Sequence, residues 1–239
     1  MNFLKFGLSK SYIVFLHGWG ANKNSFLWTR EFFENYSLIF VDFDGFGESP
    51  EPKFPLTVDG YANNLKTILD NYEIKKLVLV GHSFGGRVAI KFLSKFQNLF
   101  PVTKLLLVDS AGIKPRRGLN YYFKIFQYKI IKKLSQKRPE LKEKLDAFGS
   151  SDYKKLSPIM KETFKNIVNE DLSFDAKKIQ SQTILMWGKN DKETPIYMAK
   201  KLSKLINNSV LKVYENAGHF SFLDYPNDFL KIIDTLIEN

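Results

Sequence analysis

The stretch LVLVGHSFGG, residues Leu77–Gly86, decides how this 239-residue chain is read. Its first four residues form a continuous apolar run, which is typical of a strand buried on both faces of a sheet. A glycine-rich turn follows, and then a segment whose side chains are apolar on nearly every side of a helix, from Val88 to Phe96. Such a helix packs beside a sheet. The stretch therefore predicts one strand–turn–helix unit of a layered α/β domain.

Similar short apolar runs recur along the chain and are separated by segments with helical spacing. These runs are Tyr12–Leu16, Leu38–Asp42, Leu105–Val108, Thr183–Trp187 and Val210–Tyr214. The alternation predicts an α/β fold with a mostly parallel central sheet and helices on both faces. It breaks between residues 112 and 180, where no strand run occurs. We therefore predict a core formed by residues 1–111 and 181–239, with a helical insertion at 112–180.

The bulk composition is that of an ordinary globular protein, with 44% hydrophobic and 26% charged residues. The chain has no cysteine, which excludes disulfides and thiolate sites. It contains no run of about 18 apolar residues and no secretory signal pattern. We expect a cytoplasmic protein without stable membrane association.

The turn contains the pattern G-x-S-x-G at Gly81, Ser83 and Gly85. A serine on a tight strand-to-helix turn needs small neighbours two residues away on each side, and glycine supplies them. The turn lifts the Ser83 hydroxyl above the sheet edge at the N-terminus of a helix, where developing negative charge is stabilised. The pattern indicates a serine nucleophile; the plain alternative is a glycine-rich turn with an incidental serine.

A serine nucleophile needs a base, and the chain has three histidines. His17 belongs to a turn, and His82 is fixed beside Ser83 with its side chain expected to point away from it. His219, in the loop after the last strand run, is the histidine that is free to reach over the strand ends. We expect His219 to be the base.

A carboxylate must orient that base. Asp191 follows the penultimate strand run and can reach His219 at the neighbouring strand end; Asp109, at the end of another run, is its rival. Asp42 and Asp44 lie in a turn that we interpret as structural. The HGWG turn after the first run places the Trp19 N–H where it can form an oxyanion hole with the Phe84 N–H.

The order Ser83, Asp191, His219, together with the motifs HGWG, DFDGFGES, GHSFGG and WGKND, resembles the α/β-hydrolase superfamily over nearly the whole chain. The resemblance implies a Ser-His-Asp hydrolase in which the insertion forms a cap, and it favours Asp191 over Asp109. Serine at position 83 argues against haloalkane dehalogenases and epoxide hydrolases. About ten residues precede the first strong strand, so at most one of the two usual leading strands is expected.

Within the superfamily, the short N-terminus and HGWG are similar to carboxylesterases of the pimeloyl-carrier-protein methyl ester type, and C–C bond hydrolases share the same plan. We expect hydrolysis of a small or acyl-chain carboxylic ester or thioester, with no cofactor and no metal. The alternatives are a C–C hydrolase and a ligand receptor with slow turnover. Phe123, Phe126 and Ile130 fall on the apolar face of an amphipathic helix that we expect to roof the pocket above Ser83.

The positive charge of the chain is concentrated in the insertion. Residues 112–180 hold seventeen Lys or Arg and eight Asp or Glu, which is +9 of the net +11. An acidic acyl carrier protein could dock there, anionic small substrates could be attracted, or the face could simply be solvated. No nucleic-acid-binding motif occurs, so we expect no nucleic acid partner.

Overall fold

A seven-stranded sheet lies at the centre of the computed structural model, which describes residues 1–116, 118, 126–127, 131, 135 and 151–238. The spatial order of the strands is β1-β3-β2-β4-β5-β6-β7. The strands are β1 (Asn2–Phe6), β2 (Ser11–Leu16), β3 (Ser37–Asp42), β4 (Lys76–His82), β5 (Val102–Val108), β6 (Gln182–Gly188) and β7 (Ser209–Tyr214).

Strands β2 to β7 all pair in parallel with their neighbours among one another. Strand β1 pairs antiparallel with β3, with Asn2 opposite Asp42 and Phe6 opposite Leu38. The mostly parallel α/β fold predicted from the apolar runs is confirmed. One strand, β1, precedes β2 in residues 1–11. Because β2 to β7 all point the same way, their carboxyl ends meet at one edge of the sheet.

Helices cover both faces of this sheet. In the described residues they are α1 (Asn24–Leu27), α2 (Val58–Leu69), α3 (Phe84–Phe96), α4 (Ser151–Lys155), α5 (Pro158–Asn169), α6 (Ser173–Lys177), α7 (Ile196–Leu205), α8 (Ser221–Asp224) and α9 (Pro226–Glu238), with short 3-10 helices at Trp28–Phe32 and Gln97–Leu99. None of the helices in these ranges is long and apolar enough to cross a membrane.

Two buried clusters, one on each face, explain why the strand runs are continuously apolar. In β4, Leu77 and Leu79 belong to the cluster that includes α2, α3 and α7, whereas Val78 and Val80 belong to the cluster that includes α9. Successive side chains of a strand point to opposite faces, so both sets must be apolar when both faces are covered.

Helices α4, α5 and α6 lie between β5 and β6 in the chain, and no strand occurs in the described part of residues 112–180. Helix α5 is joined to the loop before α2, because the Leu56 N–H donates to Thr163 Oγ1 at 3.0 Å. Met160 and Ile167 of α5 are buried in the same cluster as α2 and α3. The division of the chain at residues 112 and 180 stays a prediction.

Candidate active site

Ser83 lies between β4 and α3 with an unusual backbone conformation, φ 50° and ψ −112°. Non-glycine residues rarely adopt positive φ, and such strain concentrates at functional sites. A Cβ on Gly81 would lie 2.8 Å from the Gly85 oxygen and from the Gly86 backbone, and a Cβ on Gly85 would lie 2.1 Å from the Leu16 oxygen. The glycines therefore allow the turn to close on itself and to pack against the end of β2.

His219 and Asp191 meet above the adjacent ends of β6 and β7. The Nδ1 atom of His219 lies 2.9 Å from Oδ2 of Asp191, whose side chain is fully buried. Burial alone would lower the pKa of His219, but the Asp191 carboxylate outweighs it and raises that pKa above its usual value. His219 and Ser83 line the same cavity.

The Asp191 carboxylate is held by the short segment that follows it. Oδ1 accepts hydrogen bonds from the N–H groups of Glu193 at 2.8 Å and Thr194 at 2.9 Å, and the Thr194 hydroxyl lies 2.6 Å from Oδ2. Burial would raise the pKa of Asp191, but hydrogen bonds from His219 and Thr194 lower it. The carboxylate is thus kept ionised and fixed toward His219 Nδ1, and when Nδ1 carries the proton, Nε2 is the proton-accepting nitrogen of the neutral ring.

Asp109, the rival acid, is committed to other partners. It is fully buried with φ 43°; Oδ1 accepts from the Gly188 N–H at 2.8 Å, and Oδ2 accepts from the N–H and hydroxyl of Ser221 at 2.9 and 2.6 Å. Burial raises the pKa of Asp109 to about 6. Its contacts join the end of β6 to the segment just after His219, so it positions the loop and leaves the imidazole to Asp191.

The other two histidines have different partners. His17 Nδ1 donates to the Gly18 carbonyl at 2.7 Å, and its Nε2 accepts from the Phe43 N–H at 3.1 Å, so both ring nitrogens are used. His82 Nε2 donates to the backbone carbonyl of His219 at 2.8 Å. Burial lowers the pKa of His17 to about 4 and that of His82 to about 3, which keeps both rings neutral.

The predicted oxyanion donors lie close to Ser83. Phe84 is the first residue of α3, so its N–H has no carbonyl partner within the helix. The turn that carries Trp19 is packed against the elbow, since a Cβ on Gly18 would lie 3.4 Å from Ser83 Cβ. The rings of Trp19 and Phe84 contact each other with centroids 5.5 Å apart.

A cavity of about 780 Å³ connects these groups. Its apolar lining in the described residues includes Trp19, Phe84, Phe164, Ile167, Val168 and Met198. Such an apolar cavity with a few polar groups suits a small organic ligand. No hydrogen bond joins Ser83 and His219 themselves, a bond that serine enzymes often form only around their substrate.

The predicted roof of this cavity falls mostly outside the described residues. Phe123 and Ile130 lie there, so their pocket-lining role stays a prediction. Phe126 is described: it is 60% exposed and is not among the described residues that line the cavity.

Three polar residues at the site were not found from the sequence. Thr194 and Ser221 hold Asp191 and Asp109, and Arg87 lines the cavity from α3. None belongs to a motif with a fixed spacing, and Arg87 lies in a helix with a large apolar face.

The chain belongs to the alpha/beta hydrolase family, whose model matches residues 13–232. The AB hydrolase superfamily protein YisY of Bacillus subtilis is 25% identical over 231 residues, which span 89% of this chain and 86% of the relative. A 2-hydroxy-6-oxo-2,4-heptadienoate hydrolase of Pseudomonas putida is 23% identical, with 94% and 88% covered.

A solved structure, an esterase from Exiguobacterium antarcticum, superposes with a TM-score of 0.76 over 99% of this chain and 95% of the esterase, at 24% identity. At that identity the likeness shows the fold alone. Family and fold together define a hydrolase of the α/β-hydrolase type, as the motif resemblance predicted.

Proposed function

We propose that this protein is a serine hydrolase that cleaves carboxylic esters or thioesters through an acyl-enzyme on Ser83. The observation that carries the proposal is the cavity shared by Ser83 and His219, with His219 Nδ1 2.9 Å from Asp191 Oδ2. In this proposal Ser83 is the nucleophile, His219 is the base and Asp191 is the acid that orients the base, which are the three roles that acyl transfer requires.

In the proposed mechanism, His219 Nε2 takes the Ser83 proton as the hydroxyl oxygen attacks the ester carbonyl. The resulting imidazolium is stabilised by the buried Asp191 carboxylate and then protonates the leaving alcohol. Water, activated by the same imidazole, attacks the acyl-enzyme and releases the acid. Asp191 remains ionised throughout, in keeping with its lowered pKa.

The negative oxygen of each tetrahedral intermediate would be bound by the N–H groups of Trp19 and Phe84. Preorganised donors of this kind are commonly worth about 10²- to 10³-fold in kcat each. The N-terminus of α3 adds its partial positive charge at the same place.

Ester cleavage is preferred because a relative from Psychrobacter immobilis is named a lipase and the solved neighbour is named an esterase. C–C bond cleavage is the second candidate, supported by the name of the Pseudomonas putida relative. A receptor with slow turnover would retain the same three residues, and only the turnover number separates it from an enzyme.

Residues 112–180 are proposed as the cap, with Phe123, Phe126 and Ile130 facing the substrate when it is bound. The excess of Lys and Arg in residues 112–180 supports a further proposal, that an acidic acyl carrier protein docks on the cap. Weaker use of a carrier-bound acyl group after Lys129→Glu, Lys132→Glu and Lys133→Glu, with unchanged turnover of a small neutral ester, would support it.

The proposal is tested with p-nitrophenyl esters of increasing acyl length. Ser83→Ala and His219→Gln should each lower kcat by about 10⁴-fold or more. Ser94→Ala is the matched control, since Ser94 lies on the same helix and bonds to Lys91 and Asp175. Near-normal turnover by Ser83→Ala would reject the proposal.

A further inference from the structure

Arg87 is a buried cation in the wall of the active-site cavity. It lies one turn into α3 from Ser83, is 3% exposed, and lines the same cavity. Ser83 precedes the first residue of α3, and both Ser83 and Arg87 line this cavity. An arginine is seldom buried without a paired acid, because removing its charge from water is costly.

Glu170 and Asp171, the two acidic residues whose charges act on Arg87, bond to other groups. The Glu170 carboxylate pairs with Lys91 at 2.9 Å, and Asp171 accepts from the N–H groups of Ser173 at 2.8 Å and Lys114 at 3.2 Å. Within the described ranges, Arg87 forms no ion pair. Its recorded hydrogen bond runs from Nη1 to the backbone carbonyl of Glu170 at 2.7 Å.

With respect to the residues that the structure describes, the guanidinium therefore keeps donors for a ligand. It carries five N–H groups in a planar fork that matches the two oxygens of a carboxylate. Burial lowers the pKa of Arg87 to about 10, which still leaves the group charged at neutral pH.

We propose that Arg87 binds a carboxylate on the acyl portion of the substrate, so that the preferred substrates are half-esters of short dicarboxylic acids. This inference rests on the proposed ester hydrolysis. It adds a substrate class that the triad alone does not define.

The charge of the cavity favours a singly charged anion. Among the described residues that line it, the other Lys and Glu side chains, Lys192 and Glu193, are exposed and of opposite sign, so Arg87 supplies the buried charge there. One guanidinium balances one carboxylate, whereas a phosphate dianion would call for more cations.

The depth of Arg87 favours the acyl side. Arg87 is buried, whereas Ser83 is half-buried and Phe220, which lines the same cavity, is 51% exposed. Arg87 thus lies deeper than Ser83. The leaving alcohol must escape to water and the acyl group stays attached, so the buried end suits the acyl chain.

The test compares p-nitrophenyl hydrogen adipate, an anion, with the neutral p-nitrophenyl hexanoate of equal chain length. We expect the native protein to prefer the anion in kcat/KM by about 10- to 100-fold, the range of a charged hydrogen-bonded pair. Arg87→Met should bring the ratio close to one, chiefly through KM for the anion. Arg87→Lys should restore part of it, since it keeps the charge but loses the fork.

Lys91→Met is the matched control. Lys91 lies one turn further along α3 and pairs with Glu170 and Asp175, so it anchors the same segment that Arg87 touches. It should lower the melting temperature and leave the ratio unchanged. If Arg87→Met does not fold, the comparison of Arg87→Lys with Lys91→Met takes its place. We then expect the ratio of kcat/KM for the anionic ester to that for the neutral ester to fall in Arg87→Lys and to stay unchanged in Lys91→Met.

Equal use of both esters by the native protein, or an equal loss for both in Arg87→Met, would overturn the inference while leaving ester hydrolysis standing. 3-Acetoxybenzoate carries its carboxylate on the leaving alcohol, and phenyl acetate is its neutral counterpart. If the protein prefers 3-acetoxybenzoate to phenyl acetate but shows no preference for the adipate ester, the carboxylate binds on the alcohol side, which would overturn the assignment to the acyl side.

If neither ester is turned over, the proposed ester hydrolysis fails and calorimetric titration with monomethyl adipate decides the binding site. Binding that is lost in Arg87→Met and kept in Lys91→Met would support a carboxylate site at Arg87. Absence of binding to the native protein would reject it.

Discussion

The Nδ1 atom of His219 lies 2.9 Å from Oδ2 of Asp191, and this contact joins the loops that follow two neighbouring parallel strands, β6 and β7. The two residues are 28 positions apart in the chain. The parallel pairing of the strands brings them together, and Thr194 fixes the carboxylate in place.

This contact predicts the acidic limb of the pH profile. Because the Asp191 carboxylate raises the pKa of His219 above 6.5, the neutral base should be lost as the pH falls through a value above 6.5, and kcat/KM should fall with it. Asp191→Asn should move the limb to lower pH and lower kcat by about 10³- to 10⁴-fold. A limb that stays in place in Asp191→Asn would show that another group controls it.

The buried contact between Asp109 and Ser221 predicts a loss of stability. Ser221→Ala removes the hydroxyl that lies 2.6 Å from Oδ2 of Asp109 and should lower the free energy of unfolding by about 1–3 kcal/mol in urea titrations. Ser203→Ala, whose hydroxyl bonds to a carbonyl at the surface, should change it by less than about 0.5 kcal/mol. Equal changes in the free energy of unfolding in the two variants would show that the contact between Ser221 and Asp109 stabilises the fold no more than a surface hydrogen bond does.

The tight packing of the elbow predicts that Gly85 cannot carry a side chain. Gly85→Ala would place Cβ 2.1 Å from the Leu16 oxygen, which must displace backbone, so we expect loss of activity and a destabilisation of about 2 kcal/mol or more. Gly118→Ala meets no atom of the described residues within 4 Å and should behave as the native protein in circular dichroism melts. A folded and active Gly85→Ala would contradict the packing described for the elbow.

The ion pair between Lys23 and Asp42 predicts a structural role for the turn after β3. Lys23 Nζ lies 2.8 Å from Asp42 Oδ2, and the two side chains are 6% and 0% exposed. Lys23→Met leaves a buried carboxylate unpaired and should cost about 3–5 kcal/mol in urea titrations at pH 7. Lys10→Met breaks only the exposed pair with Glu73 and should be nearly neutral.

The same pair has a defined pH dependence. Burial would raise the pKa of Asp42, but its bonds with Lys23 and with the Glu48 N–H lower it below the usual value. A lowered carboxyl pKa stabilises the fold above the unfolded-state pKa of about 4, and this contribution is lost as the pH falls through the folded-state pKa. The difference between native and Lys23→Met should therefore shrink in acid; a constant difference would argue against the ionic pair.

The fold could be predicted because strands buried on both faces must be apolar throughout, and that pattern is visible in five separate runs. The sixth run, Val210–Tyr214, was expected to be buried too, but it forms the edge strand β7, in which no residue is fully buried. Strand β1 was harder to predict from the sequence, because Asn2–Phe6 is half-buried, lies at the sheet edge and mixes polar with apolar residues. Its antiparallel pairing depends on β3, which is distant in the chain.

The sequence singled out Ser83 by the spacing of its motif and His219 as one of three histidines, and the structure places both in one cavity. Their catalytic roles stay a prediction. The choice between Asp191 and Asp109 could not come from spacing, because both follow strand ends at the same edge. The structure separates them by their contacts: His219 Nδ1 lies 2.9 Å from Asp191 Oδ2, whereas Asp109 accepts from the N–H groups of Gly188 and Ser221. Arg87 carries no motif, and its place in the cavity wall depends on packing.

The most direct test of the account is to label the protein with a fluorophosphonate, in which a serine oxygen displaces fluoride from phosphorus, and to map the adduct by peptide mass spectrometry. We predict one fluorophosphonate adduct per chain, on Ser83. Labelling should be abolished in Ser83→Ala and greatly slowed in His219→Gln. An unlabelled native protein, or an adduct on any other residue, would contradict the assignment of Ser83 as the nucleophile.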